Sequence, residues 1–567
     1  MRNRLKTLAI AGVSGGILLL AVLLTSCGDG QDTEVAQRTE VVEIQEGAAI
    51  AVNSAADTNE RDGKVTLREA ILLATGGLAV AELDSAEAAG VSGHAGPESA
   101  DTITFGASAF PAQGAVRIAL SEPLPALAGG SDAIAGSQAA VVVDGGNQTF
   151  ECLTVASSSN NIKGLQIQNC RVGVMIQPGA QKNVIGGPAP GEANIISGND
   201  QGILIGGTGA TDNIVRGNLI GVDASGTGPL GNRNGVEILA EGRGNVIGGS
   251  DPGDRNIISG NKGVGITIWG IANIVQGNYI GTDSNGTARI PNGMEGIWVA
   301  PGAKENIVGG GTAQERNVIS GNSLFGLSIA GPGADGNVVK GNYIGLDPSG
   351  TTAVPNTHGL VLDDSAQENI IGGPAPGEGN VISGNGTGVL IRGVNTSGNV
   401  LIGNLIGTDA SGSELLPNAD GIWLLGGAHD NTIGEISTGG GNVTAGNKLF
   451  GVHVEGPDTI GNTIRGNSIY ANTVEGIRNA DGGNTDLEPP TLVGRSPLTG
   501  TACPDCTVDI YSDAGDQGKV YEGSTVADAD GSFTFEGSPS GANVTATATD
   551  GQGNTSSFSR PLLGVTR

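Results

Sequence analysis

A fivefold internal repeat constrains the fold of this chain more than any other feature. The copies are rich in Asn, Ile, Val and Gly, and they open at Asn183, Asn245, Asn306, Asn369 and Asn431. Their spacings are 62, 61, 63 and 62 residues. A fixed period over five copies is typical of a solenoid, in which each unit buries its apolar face against its neighbours.

Each copy consists of six short β-branched runs bounded by Gly or Asn, and none is long enough for a helix. Six strands per copy predict two turns of a three-sided coil. In the run 203–205, alternation predicts that Ile203 and Ile205 point inward and Leu204 points outward. Hairpins would reverse the repeat, so we expect parallel stacking on the matching strand of the next coil.

Two asparagine positions recur in every copy. They are Asn194, Asn256, Asn317, Asn380 and Asn442, and then Asn213, Asn273, Asn337, Asn399 and Asn462. Asn tolerates unusual backbone angles at bends, and its amide can hydrogen-bond the Asn stacked above it. Turn chemistry explains such a column better than the alternative of a ligand-binding asparagine.

From about Val141 to Asn484 the repeat resembles the right-handed parallel β-helix family that includes pectin lyases. The resemblance implies an all-β fold with a right-handed parallel β-helix over 141–488. We expect roughly 11–12 coils with three short strands per coil. This architecture hosts many activities, so the resemblance predicts the fold and not the function.

The N-terminus has the pattern of an export signal. A positive start of Arg2, Arg4 and Lys6 precedes a mostly apolar stretch, 7–24, which ends in Ser26 and Cys27. This resembles a bacterial lipoprotein signal, which implies a cleaved segment 1–26, a lipid on Cys27 and a polar tether over 27–46. The alternatives are an ordinary signal peptide and an uncleaved anchor. We expect a cell-envelope protein exposed outside the cytoplasm, with the lipid as its membrane contact.

Segment 47–140 is predicted to cap the first coil. Thr66 and Glu69 form a capping-box pattern that starts a short helix, and 76–100 reads as an inserted loop. The run from Val65 to Ile71 resembles the domain named for the sequence Cys-Ser-Leu-Arg-Glu-Ala. Val65 and Thr66 replace its Cys and Ser. An open β-helix end exposes strand edges and core, which such a segment would cover.

After Pro489-Pro490 the repeat stops, and 489–567 shows short alternating strands such as 532–535. The segment resembles small immunoglobulin-like or carboxypeptidase-regulatory-like β-sandwich modules, which implies a spacing or attachment role.

The four remaining cysteines form two pairs. Cys152 and Cys170 are 18 residues apart, close to one short coil, so stacking would bring them within disulfide range. Cys503 and Cys506 have the spacing of a redox or metal motif. Since no second such pair is present, a local disulfide is the favoured interpretation.

The net charge of the chain restricts the classes of molecule that it can bind. The formal net charge is −29, which argues against nucleic acid and disfavours an unassisted acidic polysaccharide. We expect a monomer whose partner is an extracellular glycan.

Alignment of the Gly-apolar-x-apolar strands predicts an outward stripe. One position per coil gives Met175, Leu204, Glu237, Thr267, Trp298, Ser328, Val361, Leu390, Trp423, His453 and Arg478, and a second gives Trp269, Asp363, Arg392, Leu425 and Glu455. All three tryptophans lie on it. Exposed rings suit stacking on sugars, so we predict a glycan-binding set of Trp269, Trp298, Trp423, Glu237, Asp363 and Arg392. The alternative is that the rings only cover neighbouring strands.

Catalysis has weaker support. Glu237 and Asp363 are four coils apart, or about 19 Å, which exceeds the separation of two glycosidase carboxylates. His453, Glu455 and Arg478 lie on neighbouring coils and offer a base and an oxyanion partner, although a solvated charge cluster is the simpler interpretation. The sequence therefore favours a binding or spacer module, with a polysaccharide lyase or glycoside hydrolase of the pectin-lyase-like fold as the alternative.

An acidic loop recurs at Asp223, Asp283, Asp347 and Asp409, each followed by a Ser or Asn and a Gly. This pattern is a natural turn in which the carboxylate bonds its own backbone. No cofactor is required by the sequence. Calcium is the alternative, but each loop supplies a single carboxylate where the ion prefers six to eight oxygens.

Overall fold

The computed structural model describes residues 47–136, 141–436 and 439–563. The predicted signal peptide 1–26, the tether 27–46 and the lipid site Cys27 lie outside the described residues. Most of the described chain winds through three long sheets, here called sheets 1, 2 and 3 in the order in which a coil visits them.

Sheet 1 has fifteen strands and all pairings but one are parallel. In stacking order they are Val91–Ser92, Ala49–Val52, Thr102–Phe105, Ala133–Ala135, Asn161–Lys163, Val184–Ile185, Ile214–Val215, Val246–Gly248, Ile274–Gln276, Ile307–Gly309, Val338–Lys340, Ile370–Gly372, Val400–Ile402, Thr432–Ile433 and Thr463–Ile464.

Sheet 2 has thirteen parallel strands. They are Val116–Ala119, Val141–Asp144, Leu165–Gln168, Ile195–Ile196, Leu219–Ile220, Ile257–Ile258, Tyr279–Ile280, Val318–Ile319, Tyr343–Ile344, Val381–Ile382, Leu405–Ile406, Val443–Ala445 and Ser468–Tyr470.

Sheet 3 has twelve parallel strands. They are Glu151–Val155, Val172–Ile176, Gln201–Ile205, Asn234–Ile238, Ile266–Ile268, Ile297–Val299, Phe325–Ala330, His358–Asp363, Thr387–Arg392, Asp420–Leu425, Phe450–Glu455 and Glu475–Ala480.

These ladders confirm the predicted parallel β-helix with two coils per sequence repeat. Ile203 pairs with Val174 on one side and Val236 on the other, and all three are buried. Leu204 between two inward isoleucines is half-buried on the outer side, as alternation predicts. The core therefore consists of stacked Ile, Val and Leu columns that run the length of the coil.

Asparagine ladders occupy all three corners. At every rung except the last one before sheet 1, the side-chain amide donates to the Asn oxygen of the next coil, as Asn213 does to Asn245 at 2.9 Å. At that last rung the backbone N–H of Asn462 donates to the Asn484 oxygen at 3.0 Å. The corner before sheet 1 holds Asn160, Asn183, Asn213, Asn245, Asn273, Asn306, Asn337, Asn369, Asn399, Asn431, Asn462 and Asn484. The corner before sheet 2 holds Asn194, Asn218, Asn256, Asn278, Asn317, Asn342, Asn380, Asn404, Asn442 and Asn467. The corner before sheet 3 holds Asn199, Asn232, Asn261, Asn292, Asn322, Asn356, Asn385, Asn418, Asn447 and Asn472. Stacked amides at two corners were predicted, and the third ladder is new.

Stacked strands begin before residue 141. Ala49–Val52, Thr102–Phe105 and Ala133–Ala135 continue sheet 1 within the predicted cap segment. The helix Leu67–Ala74 starts with the expected capping box of Thr66 and Glu69, and its apolar side chains join the core of these first coils. The inserted loop contains a second helix, Ser85–Ala88, a 3₁₀ turn, Val80–Glu82, and the antiparallel edge strand of sheet 1.

The C-terminal module has the layout of a β-sandwich. One sheet contains Thr491–Arg495, Leu498–Thr501 and Ser532–Phe535, and the other contains Thr507–Asp513, Val520–Val526, Asn543–Thr549 and Leu562–Leu563. Further 3₁₀ turns are Pro252–Asp254 and Gly483–Asp486. Disulfides join Cys152 to Cys170 and Cys503 to Cys506.

The module packs against the last coil through buried polar contacts. Gln517 takes the place of the next asparagine, because its oxygen accepts the Asn472 backbone N–H at 3.1 Å. Arg465 donates two 2.7 Å hydrogen bonds to the buried carboxylate of Asp509. The module thus continues a corner ladder and closes this end of the β-helix.

Candidate functional site: the outer face of sheet 3

Strand register places the predicted stripe on the outer face of sheet 3. Successive pairings run from Met175 through Leu204, Glu237, Thr267, Trp298, Ser328, Val361, Leu390, Trp423 and His453 to Arg478. Neighbouring members lie one coil apart, so the column advances by about 4.8 Å per step.

The first aromatic cluster on this face joins three neighbouring coils. Trp269 and Trp298 make an edge-to-face contact with ring centroids 5.1 Å apart. The Trp269 indole N–H donates to a Glu237 carboxylate oxygen at 3.1 Å. Both rings are half-buried. The ion–indole hydrogen bond fixes one edge of Trp269 and leaves part of each ring open to solvent.

The second cluster surrounds Trp423. Its ring stacks on His453 with an interplanar angle of 6° and a centroid distance of 5.6 Å. The Trp423 indole N–H donates to Glu455 at 3.1 Å, which repeats the Trp269–Glu237 arrangement. Phe450 covers another side of the imidazole at 4.7 Å. Burial lowers the pKa of His453, while the carboxylates of Glu455 and Asp420 partly oppose that shift.

A polar column that the sequence reasoning missed lies beside the predicted stripe. It holds Glu295, His358 and Asp420, each directly before the glycine of the strand pattern. Glu295 is 8% exposed and Asp420 is 7% exposed, and each keeps one carboxylate oxygen without a hydrogen-bond donor. Burial raises the pKa of both carboxyls. The sequence does contain a signal for this column, because a charged or polar residue stands directly before the glycine in a strand that is otherwise apolar.

The middle of the stripe is closed. Val361 and Leu390 were predicted to point outward, and they do, but both are buried. Arg392 and Asp363 form an ion pair at 2.8 Å in the neighbouring outward column. Adjacent outward columns therefore shield the middle of the face, and the aromatic surface is divided into the two clusters around Trp298 and Trp423.

The three proposed catalytic residues lie on neighbouring coils of the outer face, as the strand register predicts. His453 and Arg478 are directly paired, and Glu455 follows His453 on the same outward side. Arg478 contacts Glu475 at 3.3 Å, and both side chains are nearly half exposed. The Glu455 carboxylate already accepts a hydrogen bond from the Trp423 indole N–H. The group that faces His453 with an opposite pKa shift is Asp420, which the sequence analysis did not select.

The four acidic loops are turns that are closed by their own aspartate and joined in pairs by backbone hydrogen bonds, from Ser284 to Gly226 and from Ala410 to Gly350. In each, Asp223, Asp283, Asp347 or Asp409 accepts hydrogen bonds from the backbone of its own loop. The Ser225 hydroxyl contributes to the lowered pKa of Asp223. Among the described residues, no three His, Cys, Asp or Glu side chains group closely enough to ligate a metal. Calcium at these loops stays a prediction of the sequence.

Across residues 47–563, apart from the short gaps already given, no helix combines the length and apolar character needed to span a bilayer.

Comparison with known proteins adds a fold-level likeness. No family model and no curated protein matches the chain. Solved structures that are similar include the A-module of the mannuronan C-5 epimerase AlgE6 from Azotobacter vinelandii, with 16% identity, a TM-score of 0.34, and coverage of 78% of this chain and 100% of that chain. A mutant of the periplasmic alginate epimerase AlgG shows 12% identity, a TM-score of 0.32, and coverage of 67% and 82%. Tailspike protein 2 of an Escherichia coli O157:H7 bacteriophage shows 11% identity, a TM-score of 0.28, and coverage of 82% and 65%. Likeness at these values concerns the fold alone.

Proposed function

We propose that the protein is a glycan-binding β-helix that receives a neutral polysaccharide along the outer face of sheet 3. The observation that carries this proposal is the placement of all three tryptophans of the chain on this face. Two of them are held by matching indole–carboxylate hydrogen bonds. A half-open ring held at one edge offers an apolar platform to a sugar with little further loss of side-chain freedom.

A neutral glycan suits the charges better than an acidic one. The face carries Glu237 and Glu455 at its rings and Asp363 between the two clusters, against Arg392 and Arg478, and the chain has a formal net charge of −29. Uronate carboxylates would be repelled by this field. Carboxylates that already hold an indole N–H still have free lone pairs, which can accept sugar hydroxyl groups.

The spacing of the clusters fits an extended polymer. Trp298 and Trp423 are four register steps apart, which corresponds to about 19 Å along the β-helix axis. A chain that contacts both clusters must therefore bridge the closed middle of the face. Longer oligosaccharides should gain affinity over short ones because both platforms are then engaged.

The remaining regions complete this proposal. A lipid on Cys27 would hold the protein at the cell envelope. Segment 47–140, whose strands already stack in sheet 1, would act as a cap of the type its sequence resembles, and the immunoglobulin-like module would extend a monomeric, surface-exposed β-helix. A globomycin-sensitive shift in membrane fractionation, abolished by Cys27→Ser, tests the anchor.

The experiment on binding uses a panel of glucomannan, xylan, mixed-linkage β-glucan and β-1,3-glucan, with alginate and pectate as acidic comparisons. Retardation of the protein in gels that contain each polymer measures affinity. We expect retardation by a neutral polymer and a loss of about tenfold or more in affinity for Trp298→Ala and for Trp423→Ala. Leu415→Ala serves as the control, since this side chain is 46% exposed in a loop after sheet 2.

Two results would contradict the proposal. One is equal retardation of the tryptophan variants and wild type, and the other is retardation by alginate or pectate alone.

A second candidate function is cleavage of the bound polysaccharide. It is favoured by one observation, the opposed pKa shifts of Asp420 and His453 on neighbouring coils of the face. New reducing ends from a neutral polymer would indicate a hydrolase, whereas unsaturated sugars, which form by elimination next to a uronate carboxyl group, would indicate a lyase that acts on the alginate or pectate of the panel. Either activity should disappear in His453→Ala. Binding without product after prolonged incubation would leave the binding role alone.

A further inference from the structure

A pocket of about 400 Å³ lies where sheet 3 meets the C-terminal module. Its volume falls within the usual range for small-molecule sites. One wall comes from the last strand of sheet 3, Glu475–Ala480, and the other from 557–561 and 516–517 of the module. Arg478 belongs to this pocket and is also the last member of the outward column, so the pocket continues the proposed glycan path.

The path ends at this point. Glu475–Ala480 is the edge strand of sheet 3, and no further described coil stacks on it. The module takes the place of the next coil, as Gln517 does in the corner ladder. A polysaccharide that follows the tryptophans toward the C-terminal end therefore meets the module instead of another open platform.

The lining of the pocket has the composition of a sugar site. It brings together two guanidinium groups, Arg478 and Arg560, and two carboxylates, Glu475 and Asp516. Opposite charges balance, so the pocket offers both donors and acceptors without net attraction for an anion. Phe558 adds an aromatic surface, and its ring is oriented by an edge-to-face contact with Tyr511 at 5.4 Å.

We propose that this pocket is an end-binding subsite, which takes the terminal residue of the neutral polysaccharide of the proposed function. The inference rests on that function and sharpens it: the protein recognises chain ends, not only chain interiors. Sugar hydroxyls act as donors toward Glu475 and Asp516 and as acceptors toward the two arginines. The site needs both the β-helix and the module, because each contributes one wall.

The test uses the number of chain ends as its variable. Glucomannan, xylan, mixed-linkage β-glucan and β-1,3-glucan are each used intact and after acid shortening to a tenth of the average chain length. Both samples compete against the retarding polymer at equal sugar mass. For wild type, the shortened sample should compete about tenfold better, because it carries tenfold more ends. The folded, full-length protein is used throughout.

Two variants assign the effect to the pocket. For Arg560→Gln, and for the double variant Arg560→Gln with Asp516→Asn, the intact and the shortened polymer should compete equally well. Both variants should still be retarded by the intact polymer. Both side chains are exposed, so we expect the thermal midpoint to stay at the wild-type value. Arg243→Gln, which removes an arginine that is 62% exposed and remote from the pocket, should keep the dependence on length.

Each outcome has a distinct meaning. Equal competition by both lengths in wild type overturns the end-binding site and leaves binding along the face intact. Persistent length dependence in the double variant also overturns it. Failure of every panel polymer to retard wild type overturns the proposed function together with this inference.

Discussion

The corners of the β-helix and the outer face of sheet 3 are built by the same stacking register but carry opposite kinds of sequence. At the corners the same residue recurs coil after coil, and its side chain is buried, as Asn256, Asn278 and Asn317 show. On the outer face, one column changes from Glu237 to Trp298 to His453 over seven register steps. Repetition accompanies structural columns, and departure from repetition accompanies the candidate site.

The physical reason lies in what each column must satisfy. The side-chain oxygen of a corner asparagine accepts a backbone N–H from one coil, and its amide donates to the asparagine of the next coil. The same residue type therefore satisfies the hydrogen bonds of every rung. An outer-face side chain meets solvent or a partner, and the fold leaves its identity free. Titratable groups with shifted pKa values, such as Asp420 and His453, accordingly occur where no repeat demands them.

The largest effect should come from breaking a corner ladder. Asn317 accepts from the backbone and side-chain amides of Asn278 at 3.0 Å each, and it donates to Val275 and Asn342. Asn317→Ala leaves these buried groups unpaired, at a cost of about 3–5 kcal/mol in the free energy of unfolding. Thermal unfolding followed by circular dichroism measures the loss. Asn285→Ala, at an exposed turn, is the matched control and should leave the midpoint nearly unchanged.

One rung of the corner ladder before sheet 1 carries an aspartate where the other rungs carry an asparagine. Asp132 occupies the rung before Asn160, whose side chain accepts the Asp132 backbone N–H at 3.1 Å. A carboxylate offers no donor where the other rungs have an amide, and one Asp132 oxygen has no partner. Burial and the neighbouring carboxylate of Asp101 raise the pKa of Asp132 from 3.8 to about 7. The protonated form supplies a donor that resembles the asparagine amide.

This shift predicts how stability depends on pH. Between pH 3.8 and about 7 the folded state holds a proton on Asp132 that the unfolded chain releases, so stability falls as pH rises through that window and then levels. The loss amounts to at most about 4 kcal/mol. Asp132→Asn should remove this fall and raise the thermal midpoint at pH 8. A variant with the wild-type pH profile would show that Asp132 ionises without cost.

The fold was predictable because its information is repeated. Five copies fixed the period, the parallel pairing and the outward column that contains Trp298 and Trp423, and one misread position would have been corrected by the other copies. Position 141, taken as the start of the coils, did not mark the first stacked strand, since Ala49–Val52 lies before the repeat becomes regular.

The candidate site was only partly predictable. The burial of Glu295 and Asp420 and the partial burial of His358 depend on the neighbouring outward columns, and the sequence of a single strand does not show that shielding.

On the outer face of sheet 3, a smaller effect should show whether Glu455 only orients the Trp423 ring or also contacts the glycan. Glu455→Gln keeps an acceptor for the Trp423 indole N–H but replaces a charge-assisted hydrogen bond with a neutral one. We expect a loss of about threefold in retardation by the bound neutral polymer and no change in thermal midpoint. Glu368→Gln, elsewhere on the surface, is the control. A tenfold loss, as large as that of Trp423→Ala, would mean that Glu455 itself contacts the glycan.

The smallest effect concerns the acidic loops, which are repeated like the corners yet lie at the surface like the face. Asp347 accepts from the backbone N–H groups of Thr351 and Thr352 at 3.2 and 3.1 Å through a single oxygen. Asp347→Asn keeps that oxygen, so the free energy of unfolding should change by less than about 0.5 kcal/mol. If repetition marks structure here as well, calcium and a chelator should give the same thermal midpoint in wild type. A midpoint raised by calcium and insensitive to calcium in Asp347→Asn would instead make the loop an ion site, and would show that a repeated column can carry function.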